Sequence, residues 1–212
     1  MNHILLKFTR RTILLMALLC AKAGVFAQGT RVVNSEQYKA FEKVLSKVGV
    51  NFNFPEGFKE IKAVNNRQFK FNYAMELPGK DFEIWFRVNS VKENKQFLSS
   101  NHLRVQADSA YAFIIKQQAA VFTNDNDWLV RQVPEVLLSR YNANAGKTYL
   151  VNLSDSPLTK HYKYALLITM AKFNAGSILA VCLSNDQGPE FFKNMFEASN
   201  CMKFKTQDKA DK

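Results

Sequence analysis

The chain has 212 residues, with 29 Lys and Arg against 18 Asp and Glu for a net charge of +11, and 18 Phe, 7 Tyr and 2 Trp. That length supports one domain with a real core and does not demand two. The positive charges are scattered rather than gathered into a compact patch or a recognisable module, which argues against nucleic acid as a partner.

At the N-terminus Lys7, Arg10 and Arg11 precede the apolar run Ile13 to Leu19, and small residues lead to Val25-Phe26-Ala27. This order is that of a secretory signal, so residues 1–27 are expected to be cleaved and the protein exported to a periplasm or the extracellular space. The uncharged stretch from Thr12 to Ala21 is about half of the roughly 20 residues that a spanning helix needs, and no later segment is apolar for longer. Cys20 stands where a lipidated cysteine would, but Leu19 precedes it in place of Gly, Ala or Ser, so lipid anchoring is not expected. Loss of Lys7, Arg10, Arg11 and Lys22 lowers the net charge from +11 to +7.

Residues 28–205 are expected to form a single domain. Ser35 is a good N-cap, and Tyr38, Phe41, Leu45 and Val48 lie on one face of a helix over 35–48 that ends at Gly49. A short strand enters a bend at Pro55-Glu56-Gly57. Phe69, Phe71, Tyr73, Met75 and Leu77 alternate strictly and predict a strand with one buried face. The turn Pro78-Gly79-Lys80-Asp81 makes a hairpin with Phe82 to Val88, where Trp85 stands on the polar face and calls for a covering helix. A helix is predicted from Asp108 to Phe122, with Tyr111, Ile114, Ile115, Ala119 and Phe122 in one stripe, and a shorter one from Pro134. Strands follow at Thr148 to Leu153, Tyr162 to Phe173 and Ser177 to Ser184. Gly188-Pro189 opens a last helix in which Phe192, Met195 and Phe196 share a face; a short strand at Met202 to Phe204 follows, and 206–212 read as a disordered tail.

Hairpins on both sides of a helical segment indicate the α+β class, a central antiparallel sheet with helices packed on it. The order of Phe52-Asn53-Phe54-Pro55-Glu56-Gly57-Phe58, the aromatic strand Phe69 to Leu77, Tyr141-Asn142-Ala143-Asn144-Ala145-Gly146, the paired strands Tyr162 to Ser184 and the last helix and strand resembles the PsbP-like superfamily. That fold is shared by the extrinsic photosystem II protein, the nuclear import factor Mog and bacterial envelope lipoproteins. The resemblance covers roughly residues 50 to 205 and leaves the placement of the first helix open. It implies an α/β/α sandwich and a non-catalytic accessory or binding role, and transfers no functional residue. A cystatin-like or NTF-like curved sheet with one long helix is the alternative.

Chemistry-bearing patterns are sparse. His102 and His161 stand far apart without the close spacing that a zinc site needs. Asp125-Asn126-Asp127 opens like a calcium loop, but Val130 and Val136 occupy the places of its glycine and its bidentate glutamate. Neither Gly-x-Ser-x-Gly nor Ser-x-x-Lys occurs, and eight glycines leave little room for a phosphate-cradling loop. No catalytic residue, metal or cofactor is assigned. Glu76, Glu83 and Glu135 read as isolated carboxylates facing water, although a fold can assemble a hydrolase site from such residues. Cys182 and Cys201 form a candidate disulfide in an oxidising compartment, with burial of the thiols as the competing reading. The aromatic richness is expected to fill the core, and Trp85, Trp128 and Tyr141 are the candidates for a surface that binds another envelope protein or a small ligand. The expected function is an exported binding module; the alternative is an envelope hydrolase.

Overall fold

The computed structural model describes residues 34–124 and 128–206. The expected leader 1–27, Cys20, the acidic turn at 125–127 and residues 207–212 of the expected tail lie outside the described residues. No described helix is long and apolar enough to cross a membrane.

Helix α1, Glu36–Val48, starts where Ser35 accepts the Tyr38 N–H and ends at Gly49, whose φ of 65° is the left-handed conformation that closes a helix. It buries Phe41, Leu45 and Val48, and Phe41 stacks on Tyr73 at 4.7 Å. Polar links fix the placement that the sequence leaves open. The hydroxyls of Ser35 and Tyr73 both donate to Glu60, at 2.8 and 2.9 Å, and Gln37 bonds the backbone of Ile61 and Ala63.

Strand β1 (Val50–Phe52) pairs with the last strand, β9 (Met202–Phe204), in a small separate sheet. The main sheet is antiparallel throughout, in the order β2 (Lys59–Ile61), β3 (Tyr73–Glu76), β4 (Glu83–Ser90), β8 (Gly176–Ser184), β7 (Tyr164–Lys172), β6 (Ala145–Asn152), β5 (Trp128–Gln132). Helices α2 (Val91–Ser100) and α3 (Ala110–Phe122) cover one face; α1 and α5 (Pro189–Ser199) cover the other, and the short α4 (Glu135–Arg140) follows β5.

The two-residue period of the strands divides the apolar side chains between two cores. Ile84, Phe86, Ile178, Ala180 and Cys182 meet α1 and α5, whereas Trp85, Leu179, Val181 and Leu183 meet α2 and α3. All nine residues of β8 are buried, since a central strand covered on both faces has no wet side. The protein is thus α+β, with helices on both faces of a large open sheet. Two thirteen-residue helices, α1 and α3, lie on opposite faces where the curved-sheet alternative has a single long one.

The aromatic strand requires a correction. β3 spans only Tyr73–Glu76, and the alternating aromatics do not share a face: Phe69 and Phe71 enter the α2–α3 core, Tyr73 and Met75 the opposite one. The chain crosses over at Asn72. Its N–H donates to the Phe86 carbonyl at 2.7 Å and its Oδ1 accepts the Val88 N–H at 2.7 Å, so a side chain takes over a ladder position from the departing backbone. The stripe on α5 also divides: Phe191, Asn194 and Ala198 are buried, whereas Phe192 and Phe196 are exposed.

Cys182 and Cys201 are not bonded; both are free thiols buried in the α1–α5 core, where each acts as a small apolar filler. Burial pushes both thiols above the ordinary range, Cys201 further through the neighbouring Cys182. The unfolded chain therefore gives up thiol protons near about pH 8.5 that the folded protein retains. Stability from this source is complete below that pH and is lost as pH rises, so the melting temperature is expected to decline in alkaline buffer, less steeply for Cys182→Ala. Equal alkaline slopes for the two proteins would contradict this account.

Candidate functional site

The three aromatic candidates do not converge. Trp85, expected at a binding surface, is fully buried among Phe69, Phe71 and Phe122, because a large ring on a sheet face covered by α3 has no route to solvent. Trp128 lies half-buried on the edge strand β5, 5.7 Å from the Tyr149 ring, on that same face. Tyr141 belongs to the opposite core, with its hydroxyl 3.1 Å from Ser199 Oγ. Near it, the Arg140 guanidinium sits 4.9 Å above the exposed Phe196 ring.

Glu83 is likewise not the water-facing carboxylate expected. It is buried and accepts from Trp85 Nε1 at 2.8 Å and from Lys160 Nζ at 2.8 Å to both oxygens. Burial first, then the Glu83 charge, raises the Tyr162 phenol above its ordinary range. Lys160 and His161 hold φ of 54° and 62°, a left-handed conformation that costs non-glycine residues about 1 kcal/mol each or more. Glu76 stands opposite Glu83 across the β3–β4 ladder and pairs with Lys59 at 3.7 Å. Two carboxylate residues thus occupy paired strand positions, each with a lysine. Lys160→Met is expected to cost about 2 kcal/mol, below the value for a fully buried pair because its ammonium reaches solvent. Adding Glu83→Gln should recover part of that loss in urea unfolding, and a single-variant loss under about 0.5 kcal/mol would count against the pairing.

A depression of about 520 Å³ lies between the 66–72 segment, the end of β4 and α2. Helix α2 begins with a capping box: Ser90 Oγ accepts the Glu93 N–H, while Glu93 Oε2 accepts the Ser90 N–H at 2.7 Å and its hydroxyl at 2.6 Å. Crossing at Asn72 brings Arg67 and Lys70 to the rim opposite. Arg87 projects from β4, its guanidinium lowered from the ordinary arginine value chiefly by burial, with Glu93 opposing the shift.

Hydrogen bonding in this depression leaves many donors over. The asparagine acceptors and one oxygen of Glu93 are engaged by the protein: Asn72 Oδ1 by Val88, Asn89 Oδ1 by Arg87 Nε at 3.2 Å, Asn66 Oδ1 by Gln68 and Phe69, and Glu93 Oε2 by Ser90. The donors are not. Among the described residues the terminal N–H groups of Arg87, the Nδ2 groups of Asn72 and Asn89, and the side chains of Arg67 and Lys70 have no hydrogen-bond partner, and none of the three cations makes a salt bridge. A surface of free donors and positive charge is suited to a ligand rich in oxygen acceptors.

None of these lining residues is among the sequence candidates. They come from three separate segments, each polar and unremarkable alone; Ser90-x-x-Glu93 is the one local signal that marks the start of α2. Comparison of the chain with known family models and with curated proteins finds no match.

Proposed function

We propose that the protein is an exported accessory module of PsbP-like architecture that binds an acceptor-rich ligand in the depression beside α2 and performs no chemistry of its own. The observation that carries this reading is the cluster of free amide and guanidinium donors and unpaired cations around Arg87. The rigid sheet supports it, since Arg87 and Asn89 lie on β4, which pairs along its whole length with β8. Binding to the folded state raises its melting temperature. A soluble or wall-derived fraction of the cell envelope is therefore expected to stabilise the wild-type protein and to stabilise Arg67→Ala much less. Equal stabilisation of both proteins, or of neither by any fraction, would overturn the site; consumption of the bound component on incubation would overturn the non-catalytic part.

The facing carboxylates Glu76 and Glu83 favour a second reading, an envelope hydrolase. In that case Glu76→Gln abolishes turnover of an envelope polymer while leaving the fold intact. The binding reading predicts no turnover to abolish.

A further inference from the structure

A second depression of about 450 Å³ lies on the other flank of α2, lined by Lys95, His102 and Arg104. The two hollows are separated by this one helix, and its sequence places neighbours on opposite sides: Lys95 and Ser99 line one, Gln96 and Ser100 the other. Ser99 and Ser100 are the smallest exposed side chains of this helix. Arg67, Lys70, Arg87, Lys95 and Arg104 make no salt bridge among the described residues, and the single carboxylate of the lining, Glu93, is held by its cap. Five cations against the one carboxylate Glu93, in two hollows astride a hydroxyl-lined saddle, form a track rather than a point site.

Resting on the binding reading above, we propose that the ligand is a linear acidic polysaccharide that occupies both depressions at once and crosses α2 at Ser99 and Ser100. Carboxylate or sulfate groups meet the guanidinium and ammonium groups, and sugar hydroxyls meet the amide donors and serines. Single-stranded nucleic acid fits the charge better than the lining, because bases stack on exposed rings in succession, whereas Phe69 is buried and Phe97 half-buried, which leaves the His102 imidazole as the exposed ring of the two hollows. A helix with its side chains is about 10 Å across, so a disaccharide fills one hollow and an octasaccharide both.

The test titrates the protein by calorimetry with octagalacturonate, a heparin-derived octasaccharide, the matching disaccharides, the methyl-esterified neutral octamer and a single-stranded oligonucleotide of equal charge. At least one acidic octasaccharide is expected to bind about 10-fold or more tightly than its disaccharide, because the second hollow is then engaged intramolecularly, and the neutral octamer is expected not to bind. Arg104→Ala should lower octasaccharide affinity about 10-fold and leave the disaccharide unaffected, whereas Arg67→Ala should weaken both; each residue is exposed, so an unchanged melting temperature verifies the fold. Equal affinity for long and short sugars, or indifference to Arg104→Ala, overturns the span while leaving the Arg87 site standing. A tighter oligonucleotide overturns the polysaccharide. If both acidic octasaccharides fail while an envelope fraction still stabilises the protein through Arg67, the ligand class is wrong and the binding reading survives; if that stabilisation fails too, both fall.

Discussion

Replacing Trp85 by alanine is expected to cost about 4 kcal/mol of folding stability, in the range of large aromatic truncations that leave a cavity. Its indole lies within 5.3–6.4 Å, ring centre to ring centre, of Phe69, Phe71 and Phe122, and the two phenylalanines before β3 enter this core only because the chain crosses over at Asn72. Truncation therefore removes the surface against which that crossing packs, and it also leaves Glu83 without the Nε1 donor. Trp85→Phe separates the two effects: it keeps a ring and drops the hydrogen bond, for about 2 kcal/mol, as expected when a buried charged acceptor loses a partner. Chemical denaturation of the three proteins measures both steps. A Trp85→Ala loss under about 2 kcal/mol, below the usual range for buried aromatics, would mean that the core relaxes around the gap.

Gly176→Ala is expected to cost about 3 kcal/mol, by overpacking and backbone strain rather than by a lost contact. Gly176 starts β8 opposite Ser90, with φ of 150°, and an added Cβ would stand 2.2 Å from the Asn89 carbonyl oxygen and 2.9 Å from Val48 Cγ1. The oxygen belongs to the central β4–β8 ladder and has little freedom to retreat. Because Asn89 also holds Arg87 in place, the same variant should weaken ligand binding in whatever fraction stays folded. Gly49→Ala serves as the comparison. Its Cβ meets nothing within 4 Å, so only the left-handed backbone is strained, at about 1 kcal/mol. Similar losses at the two glycines in thermal unfolding would remove the steric argument at Gly176.

Elements that carry both an apolar period and a chemical stop signal are legible in the sequence. α1 lies between Ser35 and Gly49, the β3–β4 hairpin turns at Pro78-Gly79, and β7 and β8 read as apolar runs around Asn174-Ala175-Gly176. Elements with little buried surface of their own are not. α2 buries only Asn94 and Leu98, and β5 is a largely exposed edge strand, so neither produces a hydrophobic pattern. The Phe69–Leu77 alternation misleads for a different reason: a period of two reports local extension, and it cannot register that Asn72 carries the chain from one face of the sheet to the other. The depression is harder still. Its recognition groups lie on a loop, a strand end and a helix, and what sets them apart is which donors remain unpaired after folding, a property of the assembled structure. Aromatic residues attract functional interest in the sequence, but most of them fill the two cores; free donors of Arg87, Asn72 and Asn89 mark the surface instead.

Backbone amide shifts of the folded protein, followed residue by residue as an acidic octasaccharide is added, locate the bound sugar along α2. Arg87, Asn89, Gln96, Ser99, Ser100 and Arg104, on both flanks of α2, are expected to move together, with Trp128 and Phe196 unmoved. Shifts confined to the β5 edge around Trp128, or to Arg140 and Phe196 on the opposite face, would contradict this placement.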